Sequence, residues 1–507
     1  MRAFRLPCLG LAALALAAAC GTTVPNAGKV ADGQSLGPST ATGAGATGNG
    51  QQGTTSAGSA ASGGTTGSGA TAANGRPLSS SGGSASAGTP AGAQTVGGIP
   101  ATGQGWDAKN VYLGIIVATD ASNTLHTLGI SIDPGDELGD ARAIIAHLNA
   151  QGGLFGRKVQ LLVKDDQSSH VLSDPAGAGQ EDCTFFTQDH HAIAVVNTDA
   201  SLDLDAFRSC FAKAHTPLVA ETTSAFDGIT TRTLSPYYYN ALSAPTDVVV
   251  QHFVDRLKEQ SYFTGWNAQT GTASPASKVK VGVLYNSTGS GPRSAKALLA
   301  ALQRAGYPTD SFEMGSQDGN AAVLHFAGNG VTHVLDMTGC CVLVYFGPAA
   351  RSQNYLPRLG LTTADGPQVL EGLASTKQLN GALGVGWFPS LDVDAAKDPG
   401  PNPGTNECLA ALKAGGQTFS GKRFAEAFGL ALCDGLRLAS LAAKQGGGLS
   451  PDAIRTGVLK LGASFPTGGP FSSGLSASTF GVPGSGRDLG YDNSCSCFTY
   501  RGPTYRL

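Results

Sequence analysis

Hydrophobic positions after residue 110 alternate between the period of a strand and the period of a helix. The apolar run VYLGIIVAT at 111–119 has the length of a buried strand, and ELGDARAIIAHLN at 137–149 carries apolar residues on one helical face. KVQLLVKDD at 158–166 follows as a second strand. Between these last two segments, Gly152, Gly153 and Gly156 supply positive φ at no steric cost. The order predicts a parallel strand pair with a right-handed crossover.

The same alternation continues along the chain and predicts two lobes. Further strands are expected at 192–197, 217–221, 278–286 and 331–338, and helices at 205–215, 245–260, 292–306 and 422–444. From about Gly469 the pattern indicates short strands and turns. We therefore predict an α/β fold of two doubly wound parallel-sheet lobes joined by a hinge. The folded domain is expected over 106–507, with lobe one at about 107–243 and 386–468 and lobe two at about 244–385 and 469–507.

The first 105 residues differ in composition from the remainder. Arg2 and Arg5 precede the apolar run Leu9 to Ala19, which predicts an export signal at 1–19. Residues 21–105 are mostly Gly, Ser, Thr and Ala without an aromatic residue, so 20–105 is expected to be a disordered tether. Its root-mean-square span would be roughly 50 Å.

The segment LAAAC, which ends at Cys20, resembles the lipobox of bacterial lipoproteins. The resemblance implies that Cys20 becomes the first mature residue and carries a lipid, so that the protein is exported and held on the outer face of the bacterial cytoplasmic membrane. Ala17 stands where the family usually has leucine, and Leu16 is one place early. The alternative is ordinary signal cleavage that leaves the cysteine unmodified.

Charge and motifs argue against nucleic-acid binding and catalysis. The formal charge is -3 with 14% charged residues, and the sequence has no basic patch. YNSTGSGPRSAK lacks the GK[ST] ending of a phosphate-binding loop, and GxSxG and HExxH do not occur after Trp106. Asp165 and Asp166 are adjacent along a strand and therefore point to opposite sides. We expect a monomer that is not an enzyme and has no cofactor, with no nucleic-acid partner.

Residues 139–169, GDARAIIAHLNAQGGLFGRKVQLLVKDDQSS, resemble the first helix–strand unit of the bacterial leucine/isoleucine/valine-binding proteins, which have the type 1 periplasmic-binding fold. The order of elements over about 107–507 matches that family as well. The resemblance implies a two-lobed receptor that closes on a small molecule and delivers it to an ABC permease. Open α/β sheets bind ligands beyond the carboxyl ends of their strands, and two facing sheets form a cleft.

Candidate ligand contacts in lobe one follow its third and fourth strands. They are Thr198, Asp199, Ser201, Thr223 and Ser224. The resemblance implies that Ser201 and either Thr223 or Ser224 hold the carboxylate and ammonium of an amino acid, since hydroxyls both donate and accept. The alternative is that these residues form solvated turns.

The candidates in lobe two depart from the family pattern. Ser290 stands where the family often has tyrosine, and Thr363 or Asp365 falls where an acid holds the ligand ammonium. These departures leave open a small polar solute other than an aliphatic amino acid. Tyr238, near the expected first crossing between the lobes, either stacks on the ligand or is buried by packing.

Eight cysteines follow Cys20, and an even number in an exported chain indicates disulfides. We predict the pairs Cys183–Cys210 and Cys408–Cys433. The remaining four, Cys340, Cys341, Cys495 and Cys497, either close within each adjacent pair or join across pairs, and cross-pairing avoids the strained ring of a vicinal bridge. A metal site is the competing interpretation, but the sequence has no CxxC and no histidine at ligand spacing.

A lipid-anchored solute-binding protein that serves an ABC permease is the predicted function. The rival is a sensory or adhesive lipoprotein of the same fold that signals to a protein partner, and the sequence does not separate the two. An exported hydrolase is a third possibility that lacks a nucleophile motif.

Overall fold

The structure is a computed structural model that describes residues 94–127, 132–287, 289–315, 318–337 and 342–507. The predicted signal peptide, Cys20 and the predicted tether up to residue 93 lie outside the described residues. The adjacent cysteines Cys340 and Cys341 also lie outside the described residues.

The segment 94–105, which composition assigned to the tether, is folded, and that prediction is wrong. It forms a hairpin of β1 (Thr95–Val96) and β2 (Ile99–Pro100). The guanidinium of Arg157, only 1% exposed, donates to the carbonyl oxygens of Val96 at 3.0 Å, Pro100 at 2.8 Å and Asp107 at 2.7 Å. A buried cation needs such acceptors, so the hairpin belongs to the folded domain.

Lobe one is built on a five-stranded, wholly parallel sheet in the order β4-β3-β5-β6-β7. The strands are β3 (Asn110–Val117), β4 (Lys158–Asp165), β5 (Ala194–Asn197), β6 (Leu218–Ala220) and β7 (Tyr238–Asn240). The helices are α1 (Ala121–Thr127), α2 (Glu137–Ala150), α3 (Ser168–Ser173), α4 (Pro175–Thr184), α5 (Asp205–Lys213) and α6 (Gly228–Leu234), with a π-helical turn at Phe185–Asp189. The predicted strand–helix–strand unit is confirmed.

Strand β3 is buried on both faces, as expected for a parallel sheet between helices. Leu113 and Ile115 face the core that contains α2, whereas Ile116 faces the opposite core with Phe186. Gly114 lets Phe186 approach the strand, because a Cβ at this position would lie 2.6 Å from the ring. The sheet of lobe one is therefore packed between two cores, one on each face.

Lobe two is built on a seven-stranded sheet in the order β11-β10-β12-β13-β14-β15-β16. A small hairpin, β8 (Trp266–Asn267) and β9 (Thr272–Ala273), precedes β10 (Val281–Tyr285), β11 (Thr309–Glu313), β12 (His333–Asp336), β13 (Arg358–Thr362), β14 (Leu383–Gly386), β15 (Ser485–Asp492) and β16 (Cys497–Arg506). The helices of this part are α7 (Thr246–Glu259), α8 (Gly291–Arg304), α9 (Gly319–Gly328), α10 (Val342–Ser352), α11 (Pro367–Leu373) and α12 (Thr376–Leu379), with a 3-10 turn at Thr363–Asp365.

The end of the chain differs from the prediction of short strands and turns. β15 and β16 are eight and ten residues long and pair antiparallel with each other, and β15 pairs antiparallel with β14. Lobe two is therefore a mixed sheet. The regular apolar alternation was hidden by glycines such as Gly486 and Gly490, which pack against neighbouring side chains.

The chain passes between the two sheets through residues 241–245, 387–402 and 465–484. The second segment contains helix α13 (Pro389–Asp392) and a 3-10 turn at 395–397. Between the second and third segments the chain adds helices α14 (Pro403–Ala414), α15 (Arg423–Gly446) and α16 (Pro451–Leu461), with a 3-10 turn at 462–464. α14 and α15 pack on α2 of lobe one, and residue 482 hydrogen-bonds to Asn240 at the edge of β7.

Two predicted disulfides are confirmed. Cys183–Cys210 joins α4 to α5, and Cys408–Cys433 joins α14 to α15. The pairing of the other four cysteines was left open, and of the two alternatives Cys495 and Cys497 take closure within the pair. The intervening residue, Ser496, accommodates the short ring with a φ of 54°.

Candidate functional site

A pocket lies where the carboxyl ends of strands from both sheets meet the first two connecting segments. It is lined by Thr223, Ser224, Ala225, Ser243, Ala244, Thr246, Val249, Met337, Thr362, Ala364 and Trp387. The empty volume is about 320 Å³, including space open to solvent, and the part that admits the centre of a water molecule is about 20 Å³. That part corresponds to roughly one water, so a larger solute requires the walls to separate.

Hydroxyl groups after β6 form the lobe-one wall of the pocket. The Ser224 hydroxyl donates to the carbonyl oxygen of Ala200 at 3.0 Å, which ties this loop to the loop after β5. Ser243, on the first connecting segment, donates to the carbonyl oxygen of Thr222 at 3.0 Å. The wall is thus held by short side-chain to backbone bonds. The predicted candidates Thr223 and Ser224 both line the pocket.

The three candidates after β5 support the loop and do not line this pocket. Thr198 is buried, and its hydroxyl lies 3.0 Å from Glu137 and 3.1 Å from the carbonyl oxygen of Ile116, each of which can accept its one hydrogen. Asp199 accepts from the backbone N–H of Ser201 at 2.7 Å. Burial raises the pKa of Glu137 to about 7, and the hydrogen bond from Thr198 opposes that shift. As direct ligand contacts, Thr198, Asp199 and Ser201 stay predictions.

Trp387 forms the lobe-two side of the pocket together with Met337 and Ala364. Its indole N–H donates to the carbonyl oxygen of Leu242 at 3.0 Å, so one side chain joins the first and second connecting segments. Thr246 and Ser294 share a hydrogen bond of 2.6 Å where α7 meets α8. Sequence reasoning missed Trp387, although an aromatic residue directly after the apolar strand LGVG was the available signal.

Thr363 and Asp365 lie behind the pocket wall and do not line the pocket, and as ligand contacts they stay predictions. The Thr363 hydroxyl donates to Asp392 at 2.9 Å and accepts from the backbone N–H of Trp387 at 2.7 Å. Asp365 accepts from the backbone N–H of Thr362 at 2.6 Å and from its hydroxyl at 3.1 Å. Both side chains therefore form hydrogen bonds within the protein, at the ends of β13 and β14.

The carboxyl group of Asp365 is also unsuited to hold an ammonium group. Burial raises its pKa well above the usual range, and the neighbouring Asp336 carboxyl acts in the same direction. The hydrogen bonds from Thr362 oppose the shift and do not reverse it. Burial of this kind disfavours the charged carboxylate, which is the form that would hold an ammonium group.

Tyr238 is fully buried in β7, so the interpretation of its ring as a ligand platform is wrong. Its hydroxyl donates to Asp203 at 3.0 Å, and Arg208 lies over the ring at 4.8 Å. Packing, the other interpretation, is confirmed. Ser290 is also fully buried and does not line the pocket; its hydroxyl has no hydrogen-bond partner in the described part of the chain, and its role in binding stays a prediction.

An ion pair joins lobe one to α8 of lobe two beside the pocket. Arg293 donates to both oxygens of Asp227, at 2.6 and 3.1 Å. Burial alone would raise the pKa of Asp227, but the hydrogen bonds from Arg293 and Thr230 outweigh it and lower the pKa. Both charges are therefore neutralised by each other.

A wider opening between the lobes has about 440 Å³ that admits the centre of a water molecule, and charged residues with partners line it. Lys422 lies 3.3 Å from Asp133, and Glu371 accepts a hydrogen bond of 2.5 Å from the backbone N–H of Phe498. Another cavity, with about 320 Å³ by the same measure, lies among the connecting segments around Asn402 and Phe471. The pocket at the strand ends remains the candidate site by position.

The helices and the acidic, histidine and cysteine side chains of the described ranges bear on membrane insertion and metal binding. None of the helices there is long and apolar enough to cross a membrane. The same residues contain no group of three or more His, Cys, Asp or Glu side chains placed to hold a metal ion.

The fold is shared with many solved structures, at low sequence identity. A branched chain amino acid ABC transporter protein from Thermus thermophilus with bound valine is 13% identical, with 79% of this chain and 97% of that chain covered and a TM-score of 0.55. A solute binding protein from R. palustris in complex with 4-hydroxybenzoate is 15% identical over 78% and 97%, with a TM-score of 0.56. A fatty acid ABC transporter substrate-binding protein from Thermomonospora curvata is 14% identical over 80% and 94%, with a TM-score of 0.54.

A comparison with curated proteins gave no match. The sequence profile of the periplasmic binding protein family matches residues 139–470, which is more than half of the chain. The fold class and the resemblance to the leucine/isoleucine/valine-binding proteins are thereby confirmed. With two sheets that meet at a pocket and a profile match across both, the chain belongs to the periplasmic binding protein family.

Proposed function

We propose that this chain is an extracytoplasmic solute-binding protein, lipid-anchored through Cys20, that captures a small molecule between its lobes and delivers it to an ABC permease. The observation that carries the proposal is the pocket at the strand ends, to which both lobes contribute residues. Because only about one water fits in it, capture requires the lobes to open and then close around the solute. The connecting segments 241–245 and 387–402 supply the hinge.

The lining favours an uncharged solute over an amino acid zwitterion. None of the described residues that line the pocket is Asp, Glu, Lys, Arg or His. Thr223 and Ser224 offer hydroxyls on one wall, and Met337 and Trp387 offer apolar surface on the other. A charge placed there would lose its hydration without gaining a counter-charge, which costs several kcal/mol by general estimate. An amide, alcohol or phenol with an apolar body fits this chemistry.

Matched pairs of ligands test the proposal. The full chain is titrated by isothermal calorimetry with benzamide against benzoate and with isovaleramide against leucine. Saturable binding of any member supports solute capture, and tighter binding of the uncharged member of each pair supports the proposed ligand class. A ligand at a hundred times its Kd adds about 2.7 kcal/mol to stability, so thermal shift gives a second readout.

A substitution that fills the pocket tests its location. Ala364→Phe adds a ring on the lobe-two wall without removing a side-chain hydrogen bond, and we expect it to abolish binding. Ala327→Phe, at an exposed position on α9, is the matched control and should bind as the parent does. Equal affinity of both variants would place the solute elsewhere.

A further inference from the structure

The disulfide between Cys495 and Cys497 differs in setting from the other two in the described part of the chain. Its cysteines are two residues apart, at the turn between β15 and β16. Cys495 is exposed, whereas Cys497 is 4% exposed. The other two disulfides join pairs of helices; Cys183, Cys408 and Cys433 are each at most 1% exposed, and Cys210 is partly exposed. Solvent thus reaches one sulfur of the hairpin disulfide directly.

We propose that Cys495–Cys497 is a thiol–disulfide exchange site for low-molecular-weight thiols of the glutathione type. The incoming thiolate attacks Sγ of Cys495, where a new S–S bond forms. The bond to Cys497 breaks, and the Cys497 sulfur leaves as a thiolate that takes a proton from water. The reverse attack of the Cys497 thiolate on Sγ of Cys495 expels the small thiol and restores the ring, so no external oxidant is needed.

Exposure selects the sulfur that is attacked. Exchange requires a thiolate to reach a sulfur along the line of the S–S bond, and access is one of the factors that sets its rate. At Cys495 this approach is open, because residues 493–496 are all exposed. At Cys408–Cys433 both cysteines are buried, and at Cys183–Cys210 only the partly exposed Cys210 can be approached from solvent.

The surrounding hairpin keeps its shape when the ring opens. β15 and β16 are paired from Asp492 and Cys497 back to Ser485 and Arg506, independent of the disulfide. Asn493 also donates to Asn380 at 2.7 Å. Ser496 has a left-handed φ of 54°, which is unfavourable for serine, and ring opening removes one of the constraints that hold it there. Opening is therefore a local event.

The exchange site lies on the opposite side of lobe two from the ligand pocket. Asn380, which contacts the hairpin tip, precedes the amino end of β14, whereas Trp387 follows its carboxyl end and lines the pocket. A small thiol attached at Cys495 would therefore leave solute binding unchanged. The proposal is independent of the ligand.

Cysteine-resolved mass spectrometry tests the proposal on the full chain. The protein is incubated with increasing reduced glutathione, quenched in acid, alkylated and digested. We expect the 495–497 peptide to be opened at a glutathione concentration at least tenfold lower than the peptides of the two helix-linking disulfides. Simultaneous opening of all three, or opening of this one last, would overturn the proposal.

Two single variants identify the attacked sulfur. Cys497→Ser removes the resolving thiol, so glutathione disulfide should leave a persistent adduct on Cys495. Cys495→Ser leaves only the buried thiol of Cys497 and should form at least tenfold less adduct in the same time. Equal adduct on both variants would contradict attack at Cys495, and unchanged circular dichroism of both variants establishes that the fold is retained.

Discussion

Replacement of Glu221 by glutamine should stabilise the protein at neutral pH. Glu221 follows β6 and is 3% exposed, and neither side-chain oxygen has a hydrogen-bond partner among the described residues. It points at α15, where a Cβ on Gly435 would lie 2.0 Å from Oε1. Burial raises the pKa of Glu221 well above its usual range, and the nearby Asp434 carboxyl acts in the same direction.

The size of the effect follows from proton linkage. A carboxyl whose folded-state pKa lies above the assay pH stays protonated in the fold, whereas the unfolded chain releases the proton above about pH 4.3. The cost grows by about 1.4 kcal/mol for each pH unit above about 4.3, up to the raised folded-state pKa. Glutamine cannot ionise in either state. The protonated acid and the amide both bury donor groups that lack a partner, so the free-energy cost of an unpaired donor largely cancels between the parent and the variant.

Urea unfolding followed by tryptophan fluorescence at several pH values measures the effect. We expect Glu221→Gln to be more stable than the parent at pH 7 by at least about 1 kcal/mol, with a gain that declines as the pH falls below the raised folded-state pKa and vanishes near pH 4. Glu313→Gln, at an exposed position at the end of β11, should have little effect at any pH. A destabilised Glu221→Gln variant, or a gain that does not depend on pH, would refute the reasoning.

Three further outcomes are expected. Replacing Arg293 by alanine should lower the free energy of unfolding by about 1 kcal/mol at neutral pH, a small loss because Arg293 is partly exposed. Because the pKa of Asp227 is lowered in the fold, this stabilisation exists above the usual pKa of Asp227 and should disappear as the pH falls through the lowered value. A difference in chemical unfolding that does not depend on pH would contradict the pairing. Removal of the Cys408–Cys433 disulfide by a double alanine substitution should lower the free energy of unfolding by about 3 kcal/mol, as loop entropy gives for a sequence separation of 25, and unchanged thermal unfolding would argue against it. Cys20→Ala should move the protein from the membrane to the soluble fraction on detergent phase partitioning, and an unchanged distribution would exclude lipidation at that residue.

The features set by local periodicity could be predicted from the sequence, and those set by side-chain direction could not. The strand at 158–166 and the helix at 137–149 were placed within one residue of the observed ends, because apolar spacing is a local property. The disulfides of Cys183 and Cys408 followed from their helices. By contrast, Asp365 was expected to face a ligand, but it turns back to cap Thr362, a geometry that depends on where β13 ends.

The candidate site was predicted only in part for the same reason. Thr223 and Ser224 were found because hydroxyl residues after a parallel strand emerge at the cleft edge. The sequence left two interpretations of Tyr238, because the β7 strand is three residues long, too short to show an alternation that would mark its buried face. Trp387 was missed because its partner, the carbonyl oxygen of Leu242, is 145 residues away in the sequence.

The contacts of Arg157 decide where the protein can be shortened. A version that begins at Trp106 would delete the carbonyl groups of Val96 and Pro100, so that Arg157 would lose two of its acceptors and the hairpin that covers it. Hydrogen bonds to a charged group stabilise proteins by roughly 2 kcal/mol each, so the shortened protein should be less stable. Recombinant versions should therefore start at or before Gln94, even though the glycine-rich composition of 94–105 invites removal.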